Sequence, residues 1–304
     1  MSTAPPPAPA AAPPASADLS FPLAFGALVL GAMAMGISPV FVREAGVGPF
    51  ASAFWRVALA LPVLLAWAWG EARRRRQPMS LAFDRPVLLV GLFFAGDLFF
   101  WHLAILHTSI ANATFLACLA PVWVLLLSNV WLGEPVGRGA VAGLAFCLAG
   151  AGLLIGLNLA ARPDRVWGDA AGVATSLFFG LYFLAVRQAR RRHGAGALTL
   201  KGTLVTAGIL LLVALTLESR LWPDDARGVA SLFALGVLSH SGGQGLLAVA
   251  LGSLSAVFSS LVIFIEAVAA ALFAWVFAGE PLTPLQGVGG LLIMAGIWIA
   301  RPRS

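Results

Sequence analysis

Several ionisable side chains stand inside stretches that are otherwise apolar enough to enter lipid. Asp97 lies in GLFFAGDLFFWHLAIL, and Trp101 follows it one helical turn later on the same face. Glu266 lies in SSLVIFIEAVAAALFAWVF, Arg56 follows Trp55 in another apolar run, and His240 and Gln244 are one turn apart in SHSGGQG. A carboxylate at the centre of a membrane helix costs about 2.5–3.5 kcal/mol on insertion scales, so each of these groups is a functional suspect by default. A carboxylate in a dry cavity suits an ammonium group or a proton, a guanidinium suits a carboxylate or phosphate, and an indole offers a face for stacking. This mixture fits zwitterions as well as cations.

Each residue also has a plainer reading. Asp97 and Glu266 can be bonded to a neighbouring helix or held protonated. Arg56 can snorkel outward, pair with Asp97 or Glu266, or bind an anionic substrate, and Lys201 is its rough counterpart in the second half. His102 sits about 140° from Asp97 on the helical wheel, so the two make no obvious dyad. A lone His of this kind more often bridges helices, although an imidazole can also titrate near neutral pH. Tyr182, with Thr175 and Ser176, offers polar groups on a further apolar run, and Asn112 is placed to cap a helix. Cys118 and Cys147 have no metal-type spacing and read as small apolar packing residues.

Other chemistries find no support. There is no His-Glu-x-x-His, no closely spaced carboxylate pair, no nucleophile elbow and no phosphate loop. An intramembrane enzyme and ATP-driven transport by this chain are therefore disfavoured, and no cofactor or metal is expected.

The segments that must position these residues follow from composition. The chain has 304 residues, 60% hydrophobic and 11% charged, against about 25% charged in soluble domains. With a mean hydropathy of +0.92, this is an all-α polytopic membrane protein. Ten spans are expected, near 22–42, 50–70, 86–106, 111–132, 137–158, 168–188, 199–217, 228–250, 254–278 and 283–301. Residues 1–20, rich in Pro and Ala, read as a disordered tail. The net charge of +6 is carried by short loops rather than a nucleic-acid-binding face. Arg73–Arg76, Arg85, Arg190–Arg192, Arg301 and Arg303 fall in the loops and tail of one side, which places both termini in the cytoplasm.

The chain also repeats itself. A shift of 146 residues lays Gly133-Glu134-Pro135 on Gly279-Glu280-Pro281, Gly143 on Gly289 and Gly150 on Gly296. A shift of 144 lays Gly36 on Gly180 and Phe41-Val42-Arg43 on Ala185-Val186-Arg187. The halves are 21–158 and 168–304, joined by an external linker at 159–167. Five spans per half is an odd number, so the second half enters the membrane inverted. Gly-Glu-Pro itself reads as a connection in which Gly ends one helix and Pro restarts the next. Gly243 falls on Asp97, so the His240–Gln244 segment should line the same cavity as Asp97 and Trp101.

Two five-helix units, each with a fourth helix running into Gly-Glu-Pro and a glycine-rich fifth, resemble the drug/metabolite transporter superfamily, and within it the bacterial EamA-domain members. The likeness covers about residues 22–301. It implies a ten-helix carrier of the inner (plasma) membrane with a central alternating-access cavity, and with a small-molecule substrate and the lipid bilayer as partners. The expected activity is gradient-driven export of small metabolites such as amino acids. A lipid flippase or a membrane scaffold is the alternative. The family often carries Gln or Glu beside a Pro in the ninth helix, where Ala267 stands here in place of the Pro.

Overall fold

The computed structural model describes residues 19–79, 82–108, 110–155, 165–278 and 281–302. Among the described residues every regular element is helical, as hydrocarbon demands of a backbone that must bond to itself. The first span is α1 (Phe21–Gly36) and α2 (Ser38–Glu44), and the second is α3 (Pro49–Ala58) and α4 (Leu61–Arg74). The third is α5 (Arg85–His107), unbroken; the fourth is α6 (Ile110–Ala117) and α7 (Ala120–Leu132); the fifth is α8 (Arg138–Ile155). The sixth and seventh are α9 (Val166–Arg190) and α10 (Ala195–Leu217). The eighth joins α11 (Ala226–Ala234), a π-helical segment (Leu235–Gln244) and α12 (Gly245–Ala250). The ninth is α13 (Ala256–Val262) and α14 (Ile265–Ala278), and the tenth is α15 (Pro284–Ala300). Nine of these runs are long and apolar enough to cross a membrane, and α15 is an apolar helix of 17 residues.

The interruptions have local causes. Pro39, Pro62 and Pro121 each sit at the second position of a new helix, where a missing N–H costs nothing. The ninth span breaks at Ile263–Phe264 with no proline present. There the amides of Phe264, Glu266 and Ala267 each bond the carbonyl three residues back, which tightens the turn. α7 ends in the left-handed conformation at Gly133, φ +71°, as glycine alone does without strain. Gly279 and Glu280 of the second copy lie outside the described residues, as do 1–18 and most of the linker.

The inverted duplication is visible in how α8 meets α15. Gly143 abuts the carbonyl of Gly296, and Gly150 abuts that of Gly289. The helices are therefore antiparallel, and exchanging the halves converts one contact into the other. Cys147 donates its Sγ–H to the carbonyl of Ile293 at 3.6 Å, and those two residues are themselves 146 apart. They face each other across the pseudo-twofold. Phe94 and His240 do the same deeper in the bundle, with ring centroids 5.3 Å apart.

Candidate functional site

The helix breaks surround a central cavity of about 120 Å³. Its wall includes Arg56 from α3, Asp97 and Trp101 from α5, Gln244 from the π segment and Glu266 from α14. Phe94, Phe179 and Phe264 supply apolar surface. The cavity lies in the half of the bundle away from the arginine-rich loops: Trp101 is near the end of α5 at His107 rather than its start at Arg85.

Arg56 is the defining group. It is only 7% exposed, yet its Nε has no hydrogen-bond partner. Among the described residues no carboxylate comes within 4.0 Å of it. It neither snorkels outward nor pairs with Asp97 or Glu266. Asp97 is 9% exposed and Glu266 half-buried, and neither forms an ion pair among the described residues. A guanidinium and two carboxyl groups thus face a shared space with no ion pair among them.

Gln244 bridges to a small side chamber lined also by Tyr182, Thr203 and His240. His240 Nε2 lies 2.8 Å from Thr203 Oγ1, while its Nδ1 and Gln244 Oε1 have no partner. Gln244 Nε2 donates to Met35 Sδ at 3.1 Å. Tyr182 touches this chamber and not the main cavity. His102 lines neither; its Nδ1 bonds the Leu98 carbonyl at 2.7 Å, and it is fully buried beside Phe50 and Trp101. Asn112 donates to Asp169 at 3.4 Å.

Three cavity residues with hydroxyl or thiol side chains escaped sequence reading. Cys118, expected to be packing only, lines the cavity because α6 breaks beside it. Thr114 and Ser38 line it too, and the Ser38 hydroxyl has no partner. The available signal was Pro39, which marks the break that turns Ser38 inward.

Toward the arginine-rich end the bundle is filled. Tyr182, Phe183, Leu184, Val186, Phe258, Leu261 and Val262 are all buried there. Beyond them Arg187 donates from Nε to Glu134 Oε1 at 2.7 Å and from Nη1 to the carbonyls of Leu251 and Gly252 at 2.9 and 3.1 Å. Glu134 Oε2 accepts from the amide of Ala256, the first residue of α13, at 2.9 Å. Arg190, 5% exposed, donates to the Ala248 carbonyl at 2.7 Å. Charges that read only as orientation signals and a helix connection here tie four spans together.

Among the described residues no group of three or more His, Cys, Asp or Glu is arranged to hold a metal ion. The charged and aromatic wall of the cavity suits reversible binding of a small charged molecule.

Comparison with known proteins agrees. An "uncharacterized transporter" of Archaeoglobus fulgidus is 27% identical over 279 residues, 90% of this chain and 94% of that one. A pseudopaline exporter of Pseudomonas aeruginosa is 29% identical over 210 residues, 69% of this chain and 72% of that protein. A probable terminal-alkyne amino-acid exporter of Streptantibioticus cattleyicolor is 27% identical over 201 residues, covering 65% and 66% of the two chains. One crystal structure superimposes with a TM-score of 0.78 at 22% identity, over 91% of this chain and 95% of that one, and so shares the fold. The EamA-like transporter family matches at residues 23–156 and again at 166–301. With that double match over a helical bundle of two inverted repeats, the chain belongs to the EamA-like transporter family, and it is a membrane transporter of small molecules.

Proposed function

We propose that this transporter exports a small zwitterionic metabolite of the amino-acid class. The observation that carries this reading is Arg56: a buried guanidinium on the cavity wall, unbridged, sharing that cavity with two carboxylates. A substrate carboxylate would take the planar fork of Arg56, which matches it bidentately. The substrate ammonium would face Asp97 and Glu266, with Trp101 and Phe94 covering its apolar part. A buried charge without a counter-charge is costly, so the site is stabilised when a ligand of opposite polarity fills it. Two relatives named as exporters, one of them a probable terminal-alkyne amino-acid exporter, support the same substrate class.

The arginine-rich loops support an orientation with both termini in the cytoplasm of a cell whose inner membrane houses the protein. With no nucleotide loop in the sequence, an ion gradient drives the cycle in this reading, and Asp97 and Glu266 are the groups placed to exchange a proton for substrate.

Counterflow of labelled amino acids into proteoliposomes tests the proposal. Wild-type protein should accumulate at least one amino-acid-like zwitterion. Asp97→Asn and Glu266→Gln should each slow it by about tenfold, the effect of losing roughly 1.4 kcal/mol of interaction. Wild-type rates in both variants would remove these carboxylates from the mechanism.

A further inference from the structure

We propose that Glu134 and Arg187 form the latch that holds the arginine-rich end of the transporter shut, and that it must open for substrate to reach the cavity from that side. The proposal rests on the chain being a small-molecule transporter and is independent of which substrate it carries.

The geometry singles out this pair. Both carboxylate oxygens of Glu134 are used: one accepts from Arg187 Nε, whose Nη1 is held by two backbone carbonyls, and the other caps α13. These partners come from the ends of α7 and α9, the loop after α12 and the start of α13. Two parallel ties flank it, Trp131 Nε1 to Gln188 Oε1 at 3.0 Å and Arg191 Nη2 to the Leu132 carbonyl at 2.8 Å. The latch also sits on levers that end in the cavity. α9 carries Phe179 in the cavity wall eight residues, or about 12 Å, before Arg187. α13 runs from the capped Ala256 to the break at Ile263–Phe264, and both break residues line the cavity with Glu266.

The duplication supplies a second, independent observation. Arg43 is the counterpart of Arg187 under the 144-residue shift. Arg43 is exposed, whereas the Arg187 side chain is 21% exposed and bonded on two sides. Equivalent arginines at opposite ends of an inverted repeat thus differ: one is engaged, and the other is exposed and forms no ion pair among the described residues. That asymmetry is what a carrier needs when one end is closed and the other is not.

Reporter cysteines read the latch without any substrate. Ser259 is fully buried on α13 between latch and cavity, and its hydroxyl has no partner, so Ser259→Cys is a mild change. Ala270 lines the cavity in the other half, and Ala270→Cys reports there. The solubilised full chain is treated with a charged maleimide, and alkylation is read at each position by peptide mass spectrometry, so Cys118 and Cys147 do not interfere. Glu134→Gln should raise labelling at 259 by about tenfold while labelling at 270 falls, the signature of a population shift between two states. Gln188→Ala, which removes only a flanking tie, should shift both sites the same way by less, and it decides the matter alone if Glu134→Gln does not fold. Unchanged labelling at 259 overturns the proposal. So does a rise at both positions, which means the bundle has merely loosened. Because no transport is measured, either failure leaves the zwitterion reading untouched.

Discussion

Two helix crossings in this protein are the same contact made twice. Gly36 of α1 packs on the carbonyl of Glu266, where an added Cβ would lie 2.7 Å from it and 2.9 Å from Ala269 Cβ. Gly180 of α9 packs on the carbonyl of Ala120, where the same distances are 2.9 Å to that oxygen and 2.9 Å to Trp123 Cβ. The backbones are equivalent; the side chains are not. One crossing carries a carboxylate on the cavity wall, and the other carries a methyl group. The same holds along α5 and the eighth span, where Asp97 answers to Gly243 and Phe94 to His240. The duplication preserves the scaffold, because both halves must pack in the same way to exchange conformations. Polar chemistry needs to exist only once per cavity, since the two halves face one shared space.

The largest test of that division concerns the arginines. Arg56 is unbridged on the cavity wall, and Arg187 is bonded to Glu134 and to two backbone carbonyls at the arginine-rich end. Arg56→Gln should reduce counterflow by roughly 30-fold or more, in line with the 2–5 kcal/mol that truncating one side of a buried charge pair costs. Its thermal midpoint should hold or rise, because an unpaired buried charge has been removed. Arg187→Gln should do the reverse to stability. It forfeits charge-assisted bonds worth about 1.5–3 kcal/mol each when buried, less here because the pair is partly solvated. Thermal denaturation of the two variants in one detergent, beside counterflow, separates the roles. A destabilised Arg56→Gln would mean that Arg56 is structural.

The glycine crossings give a smaller and sharper contrast. Gly36→Ala and Gly180→Ala should each cost about 1–3 kcal/mol of stability, since both push a methyl into a backbone carbonyl. Only Gly36→Ala displaces the segment that holds Glu266. It should therefore lower transport several-fold beyond Gly180→Ala at matched protein amounts, measured as the ratio of their counterflow rates. Equal losses would put the cost in packing alone.

How much of this was legible before the structure follows from the range of the interactions. The duplication is written in Gly-Glu-Pro and in the glycines of α8 and α15, which pack as the spacing implies. Asp97, Trp101, Arg56, Gln244 and Glu266 stand out because polar groups in apolar runs are few, and the fold brings these five to one cavity. The 140° separation of Asp97 from His102 is also a local fact, and the structure accordingly sends His102 to the Leu98 carbonyl. Longer-range facts were hidden. Glu134 and Arg187 are 53 residues apart, and nothing in either's neighbourhood names the other. The break at Ile263–Phe264 lacks the proline that flags its counterpart near Pro121, so the placement of Glu266 depended on packing rather than on a local signal.

The smallest effect belongs to the closed end, at the joint between Asp84 and His193. Asp84 caps α5 by accepting from the Val87 amide at 3.2 Å, and its other oxygen lies 2.8 Å from His193 Nε2 on the α9–α10 connection. Burial pushes this carboxyl up, but the bond from His193, the Val87 amide and the nearby His193 and Lys201 charges together hold it below the usual carboxylate range. A carboxyl lowered in the folded state adds stability that is in place above its unfolded value, about 3.9, and is lost as pH falls through the lowered value. Asn caps a helix about as well as Asp does. Asp84→Asn should therefore keep the cap and lose only the charged link, lowering the thermal midpoint slightly at neutral pH and not at acid pH. Asp84→Ala loses the cap as well and should cost about 1 kcal/mol more at every pH. Neither should change substrate affinity in the cavity, because Asp97 lies thirteen residues further along the same helix. A change in affinity with either variant would show that the closed end and the cavity are coupled through α5 as a rigid rod, in addition to the levers of α9 and α13.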